Sequence, residues 1–464
     1  MNFLRRGITL FAVVFCVFLL VSLRIAWVTH YETLSDDDNI RLLSKEIREL
    51  ENIVQNQKKD LDFKSRRIYR ALRASRIQLQ EPQSNYASDK FTISVWNEPI
   101  PILIFVCNRA EALKYQLGKL LMYRTSEESF PIFISQDCDN REVKETVKQY
   151  GTKLHYIKHI SSETARIKIP AEHRRYAMYY KISRHYKLGL THIFDVLNHT
   201  SVIILEDDLD IASDFFEYFT ATRKTLATDK SLYCVSAWND NGKPNLINAN
   251  ATTLLYRSDF FPGLGWMMTR ELWTEIGKKW PPGFWDDWIR EPEQRLNRAC
   301  IRPEVSRTAM TQYGKNGASK GLFFNKHLKL IALNQTPANF SRMDLRYLQK
   351  SVYDAQFQNN VYALPAISAD DFMRKTVEIE LINESRKTTK YRIEYSSMKE
   401  FTDIAFKLQI MTDTKAGVPR TAYMGIVSCY INGIRVFVAP KDLKTWAGYD
   451  RDWSPPFDPS EIKR

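Results

Sequence analysis

An α/β fold with a mostly parallel sheet, followed by a smaller α+β domain, is what this sequence predicts, on three observations. Short apolar runs at Ile100–Val106 and Pro131–Ser135 alternate with helical patterns, the arrangement that builds parallel sheets with ligand loops at the strands' carboxyl ends. A third run, Val202-Ile-Ile-Leu205, enters three consecutive acids, Glu206-Asp207-Asp208. Beyond about residue 345 the pattern changes, and Asn432-Gly433 between Gly425–Tyr430 and Ile434–Val438 is a strong hairpin signal.

In chain order, residues 1–6 read as a cytosolic tail and 7–28 as a membrane anchor. Arg5 and Arg6 precede an apolar run from Gly7 to Leu23, which Ile25, Ala26, Trp27 and Val28 extend past Arg24. That run is close to the roughly 17–25 residues that span a bilayer. A signal peptide is the competing reading, but h-regions are shorter and end at small residues. Positive charge before the span and Asp36-Asp37-Asp38 after it predict a single-pass type II protein with a lumenal body. An oxidising lumen permits disulfides among Cys107, Cys138, Cys234, Cys300 and Cys429, with one thiol left over.

The formal net charge of +13 does not point to nucleic acid, because a lumenal body would not meet it and much of the excess lies at residues 58–76. A solvated helix face or anionic lipid head groups account for that basic stretch. Residues 29–98 read as a stem. Within it Ile40, Leu43, Ile47, Leu50, Val54, Leu61 and Ile68 repeat in three- and four-residue steps, with Gln57 and Lys64 in register. This heptad pattern suits a weak, dimeric coiled coil, and equally a monomeric helix or a stalk. The body is expected at 99–345, with a turn at Cys107-Asn108-Arg109 and helices through Leu113–Leu121, 142–150 and 173–190. Cys107 and Cys138 could be bridged if their strands are neighbours. Residues 346–450 form the expected second domain and 451–464 a tail.

Four segments carry candidate chemistry. The acids at 206–208 suit a cation and a phosphorylated ligand, since buried charge is costly unless paired or metal-bound; a solvated acidic turn is the bland alternative. Phe261-Pro-Gly-Leu-Gly-Trp266 is a glycine-relieved turn that lets backbone approach a ligand. Phe284-Trp-Asp-Asp-Trp288 sets Asp286 and Asp287 between indoles, where an apolar setting would raise a carboxyl pKa and suit a general base. Helix capping by either acid would also explain it. Gly314–Gly321 is a hydroxyl-bearing loop able to close over a phosphate, without P-loop spacing. His185 lies in a helical stretch, where a lone histidine is usually structural.

Three longer stretches carry a resemblance. They are Val-Ser-Ala-Trp-Asn-Asp-Asn-Gly at 235–242, Asp-Phe-Phe-Pro-Gly-Leu-Gly-Trp at 259–266, and Phe-Trp-Asp-Asp-Trp at 284–288 with Arg-Ala-Cys-Ile-Arg-Pro-Glu at 298–304. From about Pro99 to Asp450 the chain resembles the N-acetylglucosaminyltransferase I family of the Golgi membrane. The resemblance implies an A-type glycosyltransferase fold with a Rossmann-like nucleotide-sugar domain. It implies inverting, Mn²⁺-dependent transfer of GlcNAc from UDP-GlcNAc to the 2-hydroxyl of the α-1,3-linked mannose of high-mannose N-glycans. Under it Asp208 is the metal ligand and Asp286 the catalytic base. Glu206 and Asp207 contact the sugar nucleotide, Arg109, Asp137 and His185 hold the nucleotide, and Leu264 and Ser319 lie beside the donor. Cys107–Cys138 and Cys234–Cys300 match the family disulfides, which leaves Cys429 without a partner. Asn108 departs from the acid that relatives carry there and is given no role. Rival readings are GlcNAc transfer to protein O-mannose, for which residues 30–98 look too short and too helical, a catalytically silent sugar-binding homologue, and a metal-dependent glycosidase.

Overall fold

The computed structural model describes residues 98–317, 321–382, 390–442 and 448–449, all within the unit Ser88–Arg464. The expected anchor, the stem heptads, Ser319 and the tail from residue 451 lie outside the described residues. Among those described, no helix is long and apolar enough to cross a membrane.

Ten strands make up the first two-thirds: β1 (Ile102–Val106), β2 (Ile132–Gln136), β3 (His155–Lys158), β4 (Ser201–Glu206), β5 (Leu209–Ile211), β6 (Leu232–Ser236), β7 (Leu255–Ser258), β8 (Trp266–Thr269), β9 (Ala299–Pro303) and β10 (Thr308–Met310). Eight of them form one sheet in the order β3-β2-β1-β4-β8-β6-β9-β7. The first four are parallel. β8 runs antiparallel to both β4 and β6, β9 is parallel to β6, and β7 is antiparallel to β9. The sheet is therefore mostly parallel, as expected, with β8 and the edge strand β7 reversed. Apolar runs of this kind report burial on both faces, and the reversal of β7 and β8 leaves no mark in them.

Helices α1 (Ala110–Tyr123), α2 (Arg141–Lys148), α3 (Ala177–Thr191), α4 (Phe215–Thr228), α5 (Arg270–Ile276) and α6 (Trp285–Arg290) cover the sheet. The period-2 alternation of a strand divides β1 between two cores. Ile102, Ile104 and Val106 pack with Leu113, Leu117 and Leu120 of α1 and with Phe215 and Phe219 of α4. Leu103 and Phe105 pack on the other face with Tyr186 and Leu190 of α3, Trp273 of α5 and Trp285 of α6. The leucines of α1 recur at three- and four-residue steps, which gives it one apolar stripe. The Asn140 side chain caps α2 by accepting from Val143 N.

Both disulfides that the resemblance implies form. Cys107 and Cys138 join the loops after neighbouring β1 and β2, and Cys234 and Cys300 join β6 to β9. Cys429 is free and buried.

The later strands are β11 (Lys390–Tyr395), β12 (Thr414–Lys415), β13 (Val418–Pro419), β14 (Val427–Ile431) and β15 (Ile434–Pro440). β14 and β15 form the expected hairpin, with Asn432 and Gly433 at φ of 46° and 83°, as a type I′ turn requires. The core of this region also takes in Leu246 and Phe260 from the preceding body. Polar ties cross as well: Asp259 N donates to Ala422 O at 2.7 Å, and Arg435 Nη2 is 2.6 Å from Glu304 Oε1.

Candidate functional site

The acids at 206–208 do not continue the strand. β4 ends at Glu206, Asp207 and Asp208 turn the chain, and β5 leaves to pair antiparallel with β10. Backbone contacts from two sides fix this turn. Gln116 of α1 donates through Nε2 to the carbonyls of Glu206 and Leu209 at 2.7 and 2.8 Å. Thr311, just past β10, donates its N–H and its hydroxyl to the Asp208 carbonyl, each at 2.8 Å.

With the backbone held, the carboxylates have little freedom. Arg109 grips Asp207 through Nε and Nη2 and reaches Asp208 Oδ2 with Nη1 at 2.8 Å. Its Nη1 also donates to the Tyr313 carbonyl at 3.1 Å. Burial opposes the charge on Arg109, but Asp208 and Asp207 outweigh it and raise its pKa. One guanidinium does not balance three acids. Burial, and next the charge of Asp208, push the Glu206 carboxyl up to about 7 against the hydrogen bond from Tyr186; Asp286 adds to the rise. Burial likewise pushes Asp207 up to about 8, against the pull of Arg109. Asp208 Oδ1 is buried without a hydrogen-bond partner among the described residues. An orphaned carboxylate oxygen in a site with surplus negative charge fits an oxygen-preferring divalent cation. Cys107, Asp137 and Cys138 also cluster, but the two sulfurs are bonded to each other and offer no thiolate to a metal.

Asp137 and His185 come together beyond the ends of β1 and β2. His185 Nδ1 lies 3.4 Å from Asp137 Oδ1, and its Nε2 is 2.9 Å from Ser135 Oγ, which is also 2.9 Å from His159 Nε2. Burial, with His159 and Arg184 nearby, holds His185 well below the usual imidazole range, so it is neutral at pH 7. Burial pushes Asp137 up to about 6 against the attraction of Arg184 and Lys181.

Between the acidic turn and α6 lies a cavity of about 170 Å³ lined by Tyr186, Glu206, Leu264, Trp285, Asp286 and Arg290, among others. Leu264 sits on the glycine-relieved turn at φ 49°, flanked by Gly263 at 67° and Gly265 at 92°. A Cβ on Gly265 would lie 2.5 Å from Thr308 Cγ2, so that position excludes any side chain. Thr308 Oγ1 donates to the Leu264 carbonyl at 2.6 Å. The backbone of this turn therefore forms one wall of the cavity.

Asp286 reaches the same cavity, but its setting differs from the apolar slot expected between indoles. Its side chain is 43 % exposed, and Oδ2 accepts from Arg290 Nη1 at 3.0 Å. The sequence places Trp285 and Trp288 on either side of it, yet helical geometry turns residue 285 inward and residue 286 toward the cavity. Trp285 is buried, stacked on Tyr186 with centroids 4.3 Å apart.

A sequence model of the GNT-I family matches residues 7–453. An alpha-1,3-mannosyl-glycoprotein 2-beta-N-acetylglucosaminyltransferase of Arabidopsis thaliana is 39 % identical over 343 residues, 74 % of each chain. The chain belongs to the GNT-I family. The family match begins well before Pro99, where the resemblance read from the sequence starts. Likeness to solved structures is slight. A mannosyltransferase from Pyrobaculum calidifontis, in complex with GDP-Man and Mn²⁺, gives a TM-score of 0.30 at 14 % identity over 51 % of this chain and 61 % of that one. S. aureus TarS 1-349 with UDP gives 0.33 at 10 % identity over 46 % and 60 %. The chain thus spans about three-fifths of those proteins.

Of the candidate residues read from the sequence, Glu206, Leu264 and Asp286 share the cavity. Arg109, Asp207 and Asp208 form the ion cluster next to Glu206, and Asp137 and His185 form the pair past β2. Three contributors escaped the sequence reading. Tyr186 follows His185 directly and donates to Glu206 Oε1 at 2.7 Å. Arg290 stands four residues after Asp286, a spacing that marks a helical ion pair. Gln116 left no signal, because its role depends on where α1 meets the turn.

Proposed function

We propose that this GNT-I family chain transfers GlcNAc from UDP-GlcNAc to the 2-hydroxyl of the α-1,3-linked mannose of a high-mannose N-glycan. The observation that carries the reading is that Glu206, from the acidic turn, and Asp286, from α6, line one cavity in a chain with this family membership. Asp137 and His185 would hold the nucleotide beyond β2, with Arg109 and Asp207 at the diphosphate side. Leu264 and Ser319 would lie against the donor, and Glu206 would contact the sugar.

Asp286 takes the proton of the acceptor hydroxyl as its oxygen attacks the anomeric carbon. The bond from that carbon to the diphosphate breaks in the same displacement, and an α-linked donor gives a β-linked product. Arg290 keeps the Asp286 carboxylate aimed into the cavity. Asp208, with its orphaned Oδ1, would hold Mn²⁺. When bound, the cation supplies positive charge that offsets the charge developing on departing UDP.

The expected setting remains the Golgi membrane, with one span at 7–28, a lumenal body and a stem that could pair two copies. Incubating the full-length protein with UDP-GlcNAc, Mn²⁺ and separate N-glycan and O-mannosyl acceptors tests the activity. Transfer to the terminal α-1,3-mannose is expected. Transfer to O-mannose alone, release of free sugar from a glycan, or donor binding without transfer would each replace this reading with one of its rivals.

A further inference from the structure

We propose that Lys415, on β12, is a positioning residue for this reaction: by holding Asp287 it leaves Arg290 to hold Asp286. The inference rests on Asp286 acting as the base. A single nitrogen, Arg290 Nη1, lies between two neighbouring carboxylates, 3.0 Å from Asp286 Oδ2 and 3.2 Å from Asp287 Oδ1. Arg290 cannot swing freely to serve either one. Its Nε donates to the Phe261 carbonyl at 3.0 Å, and its guanidinium lies 4.9 Å over the Phe260 ring. Two acids therefore compete for one fixed cation.

Lys415 resolves the competition. Its Nζ is 3.1 Å from Asp287 Oδ1, so two carboxylates meet two cations. The Asp287 side chain is 16 % exposed and that of Asp286 is 43 % exposed. Without Lys415 the less hydrated carboxylate, Asp287, turns more fully onto Nη1 of the fixed Arg290 and weakens its bond to Asp286, because a buried charge left unpaired is the costlier one. Asp286 would then be aimed less firmly. Lys415 is not among the cavity-lining residues, so it acts through Asp287.

The hairpin that carries Lys415 is held in place. Lys415 pairs with Val418 across a tight turn formed by Ala416 at φ 49° and Gly417 at 75°. A non-glycine residue in this left-handed region is strained, and such strain persists only where surrounding structure imposes it. Arg420 supplies that restraint. It donates at 2.7 Å to both Asp413 Oδ2 and Asp240 Oδ1, and it lies 4.8 Å over Phe260, the same ring that supports Arg290. One phenyl ring thus carries both the arginine of the site and the clamp of the hairpin.

The test compares full-length Lys415→Met, Lys415→Arg, Asp287→Asn, the double variant Lys415→Met/Asp287→Asn, and Asp286→Asn. For each, kcat, the KM for UDP-GlcNAc, UDP affinity and melting temperature are measured. Lys415→Met should lower kcat by about ten- to a hundredfold, the scale of a small misplacement at a reacting group, with donor KM, UDP affinity and melting temperature unchanged. Lys415→Arg should restore most of the loss. The double variant should be faster than Lys415→Met, since removing the Asp287 charge removes the competitor. Unchanged kcat in Lys415→Met, a loss shared with donor affinity and melting temperature, or additive losses in the double variant would overturn the proposal. Asp286→Asn separates the two levels. If it turns over at the unsubstituted rate, the base assignment itself fails; if it is inactive while Lys415→Met is not impaired, only the role of Lys415 fails.

Discussion

The hydroxyl of Tyr186 lies 2.7 Å from Oε1 of Glu206. The Tyr186 ring is held between Phe105 and Trp285, with centroids 4.1 and 4.3 Å away. This column joins the acidic turn at the end of β4 to α6, so the positions of Glu206 and Asp286 are not independent. Tyr186→Phe keeps the stack and deletes the hydrogen bond, worth about 1.5–3 kcal/mol if Glu206 is charged. The expected outcome is a ten- to hundredfold fall in kcat/KM for UDP-GlcNAc with affinity for UDP alone retained, measured by steady-state kinetics and calorimetry. An equal loss of UDP affinity would show that Tyr186 supports the whole turn rather than the sugar end of the site.

Asp208 is the carboxylate with a spare buried oxygen. Asp208→Ala should remove the part of UDP affinity that depends on Mn²⁺, read by titrating UDP with the metal present and after chelation. The unsubstituted protein should lose UDP affinity on chelation, whereas the variant should bind weakly in both conditions. A variant that keeps the metal response would move the ligand role to another residue.

Asp137 carries a pH prediction. Burial raises its carboxyl to about 6, so lowering the pH from 7 to 5 converts it from an acceptor to a protonated acid. If the carboxylate holds the nucleotide, UDP affinity should fall across that interval, and Asp137→Asn should flatten the profile. The stability effect has the opposite sign. A raised native pKa contributes stability that is fully present below the unfolded value, about 3.9, and is lost as pH rises through about 6. Binding and unfolding curves on the same protein should therefore diverge.

Asp214 makes a stability prediction outside the cavity. Its Oδ2 accepts from Arg307 Nη2 at 2.9 Å, Asn334 Nδ2 at 3.0 Å and Ala338 N at 3.0 Å, and both charged side chains are buried. Asp214→Ala would strand Arg307 in the interior. Breaking a buried pair in this way costs about 3–5 kcal/mol, which denaturant unfolding would register. Asp214→Ala combined with Arg307→Met should recover much of the loss, because no charge is then left without a partner.

Much of this protein was legible in its sequence because local chemistry dictated it. Apolar runs marked β1, β2 and β4, Asn432-Gly433 marked the β14–β15 turn, and Gly263 and Gly265 marked a backbone that needs positive φ. The acids at 206–208 announced themselves, since three charges at the end of a buried strand require compensation. The family itself could be read from the stretches at 235–242, 259–266, 284–288 and 298–304. Tertiary structure decided what depends on direction and distance. It reversed β7 and β8 within the sheet, ended β4 at Glu206, and exposed Asp286 beside Arg290 instead of enclosing it between indoles. It also brought Tyr186 to Glu206 and Lys415 to Asp287, pairs separated by 20 and 128 positions in the chain. The physical reason is the same in each case. Hydrophobicity and turn chemistry act over a few neighbouring residues, whereas pairing a buried charge depends on which elements the packed sheet brings within about 3 Å of it.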